Sequence, residues 1–108
     1  MAGQPQPAQP GVAITTVDSR YAEITLTGDV GTVMLRDLEE RFDDPRLHSA
    51  EHWVLNMRSV ARIDLACAYA LLHAVTRHPG TASVCGARRA VLRTLRRAGL
   101  DKACVIEE

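Results

Sequence analysis

Few residues in this chain could carry out chemistry. The three cysteines, Cys67, Cys85 and Cys104, are an odd number with no C-x-x-C pair, which argues against both a disulfide framework and a structural zinc site. Cys85 and Cys104 each lie in a short apolar run, where a free thiol serves as a small hydrophobe. His48 and His52 stand four apart, as two metal ligands on a helix do, but the glutamate of an H-E-x-x-H pattern and a third ligand are missing. They read as surface histidines of a polar loop. There is no Gly-rich phosphate loop and no G-x-S-x-G elbow, and no cysteine has a histidine base beside it in sequence. The expectation is a protein that is not an enzyme and takes neither metal nor cofactor.

What remains is recognition chemistry. Gly28-Asp29-Val30-Gly31 and the stretch from Arg58 to Asp64, with Ser59 and Arg62 inside it, bring small, charged and hydroxylic residues into two breaks between apolar segments. Asp64 directly precedes a Gly- and Pro-free run, Leu65 to Arg77, so its carboxylate is the natural N-cap of a helix, worth about 1 kcal/mol. Arg88, Arg89, Arg93, Arg96 and Arg97 put five cations on one later segment, against an acidic group of Asp37, Glu39, Glu40 and Asp43. The net charge is nonetheless +0 and aromatics are only 4%, so neither a general attraction for polyanions nor a stacking platform for bases is provided. The arginines suit a solvated face first, an acidic protein partner second, and nucleic acid last.

The elements that position these residues follow from patterning. At 108 residues, 46% hydrophobic and 24% charged, the chain suits one globular domain. Residues 1–11 hold three of the five prolines interleaved with glutamines and are expected to form a flexible tail, leaving the domain over 12–108. No apolar run approaches the roughly 20 residues of a membrane span, and the first ten residues lack a signal-peptide pattern; the expected address is the cytoplasm, with no membrane insertion.

Val12 to Val17 predicts a strand, Asp18-Ser19-Arg20 a turn, and Tyr21 to Thr27 a second strand in which Ala22, Ile24 and Leu26 face a core. Gly28 to Gly31 is predicted to break that strand, and Thr32 to cap a helix with Leu35, Leu38 and Phe42 inward. Pro45 ends it, and Arg46 to His52 is a polar connection. Trp53 to Met57 predicts a central strand buried on both faces, and Arg58 to Ile63 a loop. The helix Leu65 to Arg77 follows, with Leu65, Tyr69, Leu72 and Thr76 on one stripe. A strand over Thr81 to Cys85, a helix from about Ala87 to Ala98 with Val91, Leu92, Leu95 and Ala98 inward, and a strand over Ala103 to Ile106 complete it. The order β-β-α-β-α-β-α-β implies an α/β fold with right-handed βα crossovers and a small, mostly parallel sheet. Binding features then gather beyond the strand carboxyl ends, where the Gly28 and Arg58 segments stand.

Val54-Leu55-Asn56-Met57-Arg58-Ser59-Val60-Ala61-Arg62-Ile63-Asp64-Leu65-Ala66-Cys67 resembles the signature of STAS domains, the sulfate-transporter and anti-sigma-factor-antagonist family, where it reads roughly V-L-D-L-S-x-V-x-x-I-D-S-S-G. Leu26-Thr27-Gly28-Asp29-Val30 is similar to that family's L-x-G-x-L-D entry to the first helix, and Arg97-Ala98-Gly99-Leu100-Asp101 to its T-G-L-D turn. The resemblance runs from Val12 to the C-terminus. It implies the STAS, anti-sigma-factor-antagonist-like fold and a regulator that binds a serine-kinase-type anti-sigma factor, with a dimer allowed. The contact would use Gly28, Asp29, Val30, Arg58, Ser59, Arg62, Asp64, Leu65, Ala66 and Cys67. The family's off-switch is phosphorylation of the second serine of D-S-S-G, which adds about −1.5 to −2 charges at the contact. Here that position is Ala66, and Asn56 stands where the family usually has an aspartate. The phosphoacceptor is lost, and Ser59 is not at the phosphoacceptor position. A STAS accessory subunit of an ABC-type lipid transporter, which needs no phosphoswitch, is the alternative implied; nucleotide binding at the second helix is a weaker one.

Overall fold

Tyr21–Val30 (β2) buries Ala22, Ile24, Leu26 and Val30 while Tyr21, Glu23, Thr25 and Thr27 stay half-buried, the period of two that a strand with one face on a core requires. In the computed structural model, which describes residues 11–17 and 20–107, this strand pairs antiparallel with Gly11–Val17 (β1) and parallel with His52–Ile63 (β3). Thr81–Cys85 (β4) and Val105–Glu107 (β5) add in parallel, giving a sheet in the order β1-β2-β3-β4-β5. The mostly parallel α/β sheet expected from the sequence is therefore present. The connections are a 3-10 turn over Thr32–Met34 leading into Leu35–Phe42 (α1), then Pro45–Ser49 (α2), Leu65–Arg77 (α3), Arg89–Ala98 (α4) and Leu100–Ala103 (α5). The tail over 1–10, the Asp18-Ser19 turn and Glu108 lie outside the described residues.

One cluster holds the layers together. Ile24, Leu26, Trp53, Leu55, Met57 and Val84 from the sheet meet Leu38, Leu71 and Leu95 from α1, α3 and α4, and most of these side chains are fully enclosed. At about 25 cal/mol per Å² of apolar surface removed from water, each contributes roughly 1.5–3 kcal/mol. The reverse face of the sheet is polar and laced by side chains. Asn56 Nδ2 donates to Glu23 Oε2 at 2.8 Å, His52 Nδ1 meets Thr81 Oγ1 at 2.6 Å, and Thr15 Oγ1 meets Thr25 Oγ1 at 3.2 Å.

Several sequence expectations are corrected. Gly11 already pairs with Thr27, so β1 starts one residue inside the stretch read as tail. Gly28 does not break β2, which runs to Val30, and Arg58 to Ile63 is strand, not loop. Two register shifts explain the second misreading: Thr25 pairs Asn56 but Thr27 pairs Ser59, and Gly28 pairs Val60 but Asp29 pairs Arg62. Each inserts one extra residue on β3, a bulge, so its inward side chains fall at Met57, Val60 and Ile63, a spacing of three that hides a strand. The earlier half of β3 is buried on one face only, with Val54 and Asn56 half-buried. Pro45 does not end α1, which stops at Phe42; it opens α2 at the position where a missing N–H costs nothing. Asp44 caps α2, accepting from the Arg46 N–H at 2.8 Å, and the Arg46 guanidinium hydrogen-bonded to its side chain holds its carboxyl down at about 2. His48 thus sits exposed on α2 and His52 half-buried on β3, not together on a loop. In α3 the enclosed residues are Cys67, Ala68, Leu71 and Val75, so the Leu65–Tyr69 stripe faces outward. The inward set predicted for α4, Val91, Leu92, Leu95 and Ala98, is the buried set. A short α5 intervenes before β5, which begins at Val105.

Two glycines separate backbone strain from crowding. Gly86 has φ +75 and a Cβ there would clash with Arg58 Cγ, whereas Gly99, at φ +91, has open space around it. Gly99→Ala should cost about 1 kcal/mol from the left-handed backbone alone, and Gly86→Ala distinctly more because the Arg58 side chain must also move. Urea denaturation of the two variants checks the order.

Candidate protein-binding site

The last rungs of the β2–β3 ladder, Gly28↔Val60 to Val30↔Ile63, stand beyond the reach of the neighbouring strands: β1 ends opposite Thr27 and β4 opposite Asn56. At the tip, the Asp64 N–H donates to the Val30 carbonyl at 2.9 Å, which fixes where α3 begins. Asp64 has the extended backbone of an N-cap residue and its carbonyl accepts the Ala68 N–H at 3.0 Å, yet its side chain makes no hydrogen bond to α3. Its Oδ2 instead accepts the Thr32 N–H at 3.2 Å. The helix-cap expectation is thus corrected twice: Asp64 does not cap its own helix, and Thr32 caps nothing but is held by Asp64. The carboxylate lies between two helix starts, where partial positive charge from unsatisfied N–H groups favours an anion.

A second bond repeats this link one turn along. The Cys67 thiol, fully buried, donates to the Gly31 carbonyl at 3.1 Å. Burial and then the nearby Asp64 charge push the Cys67 pKa up, which keeps the proton that this bond needs. Cys104, half-buried with its thiol against the Leu100 carbonyl at 3.4 Å, is pushed up to about 11 by burial and then by Asp101. Neither thiol is a nucleophile at neutral pH.

Of the residues singled out in the sequence, Asp29, Arg58, Ser59, Arg62, Leu65 and Ala66 reach solvent together around this tip, with Asp64 half-buried among them. Gly28, Val30 and Cys67 do not. Val30 and Cys67 are fully enclosed, because β2 continues inward-facing to Val30 and Cys67 points at the Gly31 turn. They support the site and present no side chain to a partner. Two surface residues were missed. Val33, in the turn that Asp64 holds, is 96% exposed, and Tyr69, one turn after Leu65, is 50% exposed. Helical periodicity placed Tyr69 on a stripe with Leu65 and Leu72 without fixing which way it faces; only the fact that Cys67, Ala68, Leu71 and Val75 already fill the inner face shows it as the outer one. The result is an apolar patch of Val33, Leu65, Ala66 and Tyr69 with Asp29, Arg58 and Arg62 on the adjoining ribbon. Among the described residues no group of histidines, cysteines and carboxylates is arranged to hold a metal ion. The chemistry offered is desolvation of an apolar patch flanked by charge, the composition of a protein contact.

The family model described as "Mlab, STAS domain" matches residues 15–107. Among solved structures, the anti-sigma factor antagonist SpoIIAA in its unphosphorylated form aligns with a TM-score of 0.70 at 10% identity, over 91% of this chain and 89% of that one. An anti-sigma factor antagonist from Mycobacterium paratuberculosis aligns with a TM-score of 0.73 at 16% identity, over 91% and 85%. A DUF3478-family protein with a SpoIIAA-like fold from Shewanella loihica PV-4 aligns with a TM-score of 0.55 at 12% identity, over 99% and 88%. At these identities the structures show a shared fold. No curated protein matches the sequence at a significant level.

Removing the Asp64 carboxylate should release the Thr32 turn. Asp64→Ala is expected to lose about 1 kcal/mol and Asp64→Asn less, since an amide oxygen can still accept the bond; urea midpoints measure both. Cys104 supplies a pH test. Its folded pKa lies above the unfolded value, so its contribution is complete below pH 9.0 and is lost as pH rises toward about 11. Wild-type stability should therefore fall over that window more steeply than that of Cys104→Ala, as read from thermal midpoints at successive pH values.

Proposed function

The chain belongs to the STAS family, and on that footing we propose that it is a regulatory protein-binding module that grips its partner at the carboxyl end of β2 and β3. The observation that carries this reading is the outward stripe of α3. Leu65 and Tyr69 remain 39% and 50% exposed beside a Val33 that is 96% exposed, on a chain whose interior apolar positions are already filled. Surface of this kind has a stabilising use only when covered. The charged rim of Asp29, Arg58, Ser59 and Arg62 would set register and orientation, and Asp64 would hold the patch in shape.

The partner class proposed is a serine-kinase-type anti-sigma factor, supported by the resemblance and by two structural neighbours described as anti-sigma factor antagonists. Ala66 lies exposed in the first turn of α3, where the family's phosphoserine would stand, and it has no oxygen to receive phosphate. Binding would then be permanently competent, with control by abundance. The same alanine favours a second reading, a standing accessory subunit of an ABC-type lipid transporter assembly, which would use the same patch and need no switch. No helix among the described residues is long and apolar enough to cross a membrane, so in either case attachment would be through another protein.

Purified chain immobilised against lysate of its host, with the captured protein identified, separates the two. Ala66→Asp places a second carboxylate beside Asp64 and must desolvate it on binding, and Tyr69→Ala removes an aromatic anchor. Each should weaken capture at least about tenfold, equivalent to roughly 1.4 kcal/mol. Capture of an anti-sigma kinase supports the first reading and of transporter subunits the second. Undiminished capture by both variants would place the contact elsewhere and overturn the proposed surface.

A further inference from the structure

At the opposite end of β3 from Asp64, α1 and α3 part to leave a cleft of about 290 Å³. Small side chains open it: Ala70 and Ala74, one turn apart on α3, share the cleft with Leu38 and Phe42, one turn apart on α1. Trp53 lines it from the sheet. Its indole N–H is fixed on the Leu47 carbonyl at 2.8 Å, and its rings pack against Phe42 at 5.4 Å and His78 at 4.0 Å.

The two walls carry opposite charge. Glu39 lies on α1 and Asp43 at its C-cap, four residues on, while Arg77 lies on α3 one turn after His73. Among the described residues the ion pairs are Arg41 with Asp37 and Arg46 with Asp44, so none spans the cleft and the walls stand apart. His78, which also lines the cleft, is only 7% exposed, with both ring nitrogens buried. Burial, only partly offset by a hydrogen bond to the Glu51 backbone, pushes its pKa down.

We propose that this cleft binds a small zwitterion with an apolar side chain, the chemistry of a free branched or aromatic α-amino acid. The ammonium group would lie toward Glu39 and Asp43, the carboxylate toward Arg77, and the side chain over Ala70 and Ala74 against the aromatic floor. A simple anion leaves the acidic wall facing it, and a simple cation leaves Arg77 facing it; a zwitterion answers both. The volume is at the lower limit of ligand pockets, roughly 300 Å³, which suits a molecule of this size and excludes a nucleotide. The site is independent of the protein-binding patch.

Trp53 is the single tryptophan, so its emission reports on the cleft without labelling. L-leucine is titrated into the full chain beside 4-methylpentanoate and isoamylamine, which each keep the side chain and one charge. The expected result is a saturable change with L-leucine at millimolar concentration or below, with both analogues at least about tenfold weaker. Arg77→Gln, at an exposed position, should remove the preference for L-leucine over the amine, and Glu39→Gln with Asp43→Asn the preference over the carboxylate. Ala74→Leu, which fills the cleft, should abolish all three responses. Absence of a saturable response to millimolar L-leucine, or equal responses to the three compounds, would overturn the proposal.

Discussion

The pairing of β2 with β3 runs from Tyr21↔His52 to Val30↔Ile63, farther than either strand is accompanied on its other edge, and the arrangement at the start of α3 depends on those unaccompanied rungs. They deliver the Asp64 N–H to the Val30 carbonyl, and that contact decides which donors the Asp64 carboxylate can reach. Register here has little freedom. A slip of one residue on β3 would exchange Val60 and Ile63 for exposed neighbours. The two bulges on β3 are the means by which a 12-residue strand matches a shorter stretch of β2 while keeping Met57, Val60 and Ile63 on the inner face.

That device also explains what could be read from the residues beforehand. β2 and α4 were legible because each obeys one period throughout: Ala22, Ile24 and Leu26 at two, and Val91, Leu92, Leu95 and Ala98 at the helical spacing. The far half of β3 was not, since two insertions convert a period of two into a spacing of three, and Gly28 beside it looks like a strand breaker. Its buried position opposite Val60 reflects the pairing instead. α3 failed for a different reason. It is apolar on both sides, so periodicity finds two candidate stripes and cannot rank them; the layer packing of α3 between α1 and α4 decides. The cap role of Asp64 was a correct inference about residue type and a wrong one about partner. A sequence reveals that an aspartate at a helix start seeks N–H groups, while only the fold shows that the nearer free donor belongs to the turn before α1.

The surface consequence follows from α3 having more apolar residues than its inner face can use. Cys67, Ala68, Leu71 and Val75 complete the core, and nothing in the folding of the domain requires Leu65 or Tyr69 to be apolar. A fold that needed only stability would place charge there. Asp64 and Cys67 reinforce the same arrangement, since both tie the first turn of α3 to the Gly31–Thr32 backbone and so hold Val33 beside Leu65. Ala66, between them, has no hydroxyl at which charge could be added. The geometry of the patch is set once, at folding.

α3 is also the element shared by the two ends of the molecule, with Leu65 and Tyr69 at one and Ala70, Ala74 and Arg77 toward the other. Trp53 and Ile63 are separated by ten residues of strand, about 33 Å if fully extended, so any influence of the cleft on the patch would travel as a movement of this helix. Such a movement must work against the bonds at its start: Asp64 on Thr32, Asp64 on Val30 and Cys67 on Gly31. A ligand shifts an equilibrium only by its difference in affinity for the two positions. A small molecule that settles into an already open cleft has little such difference. The anchoring that shapes the apolar patch therefore also insulates it, and the two ends are expected to act separately unless the Asp64 and Cys67 contacts are first broken.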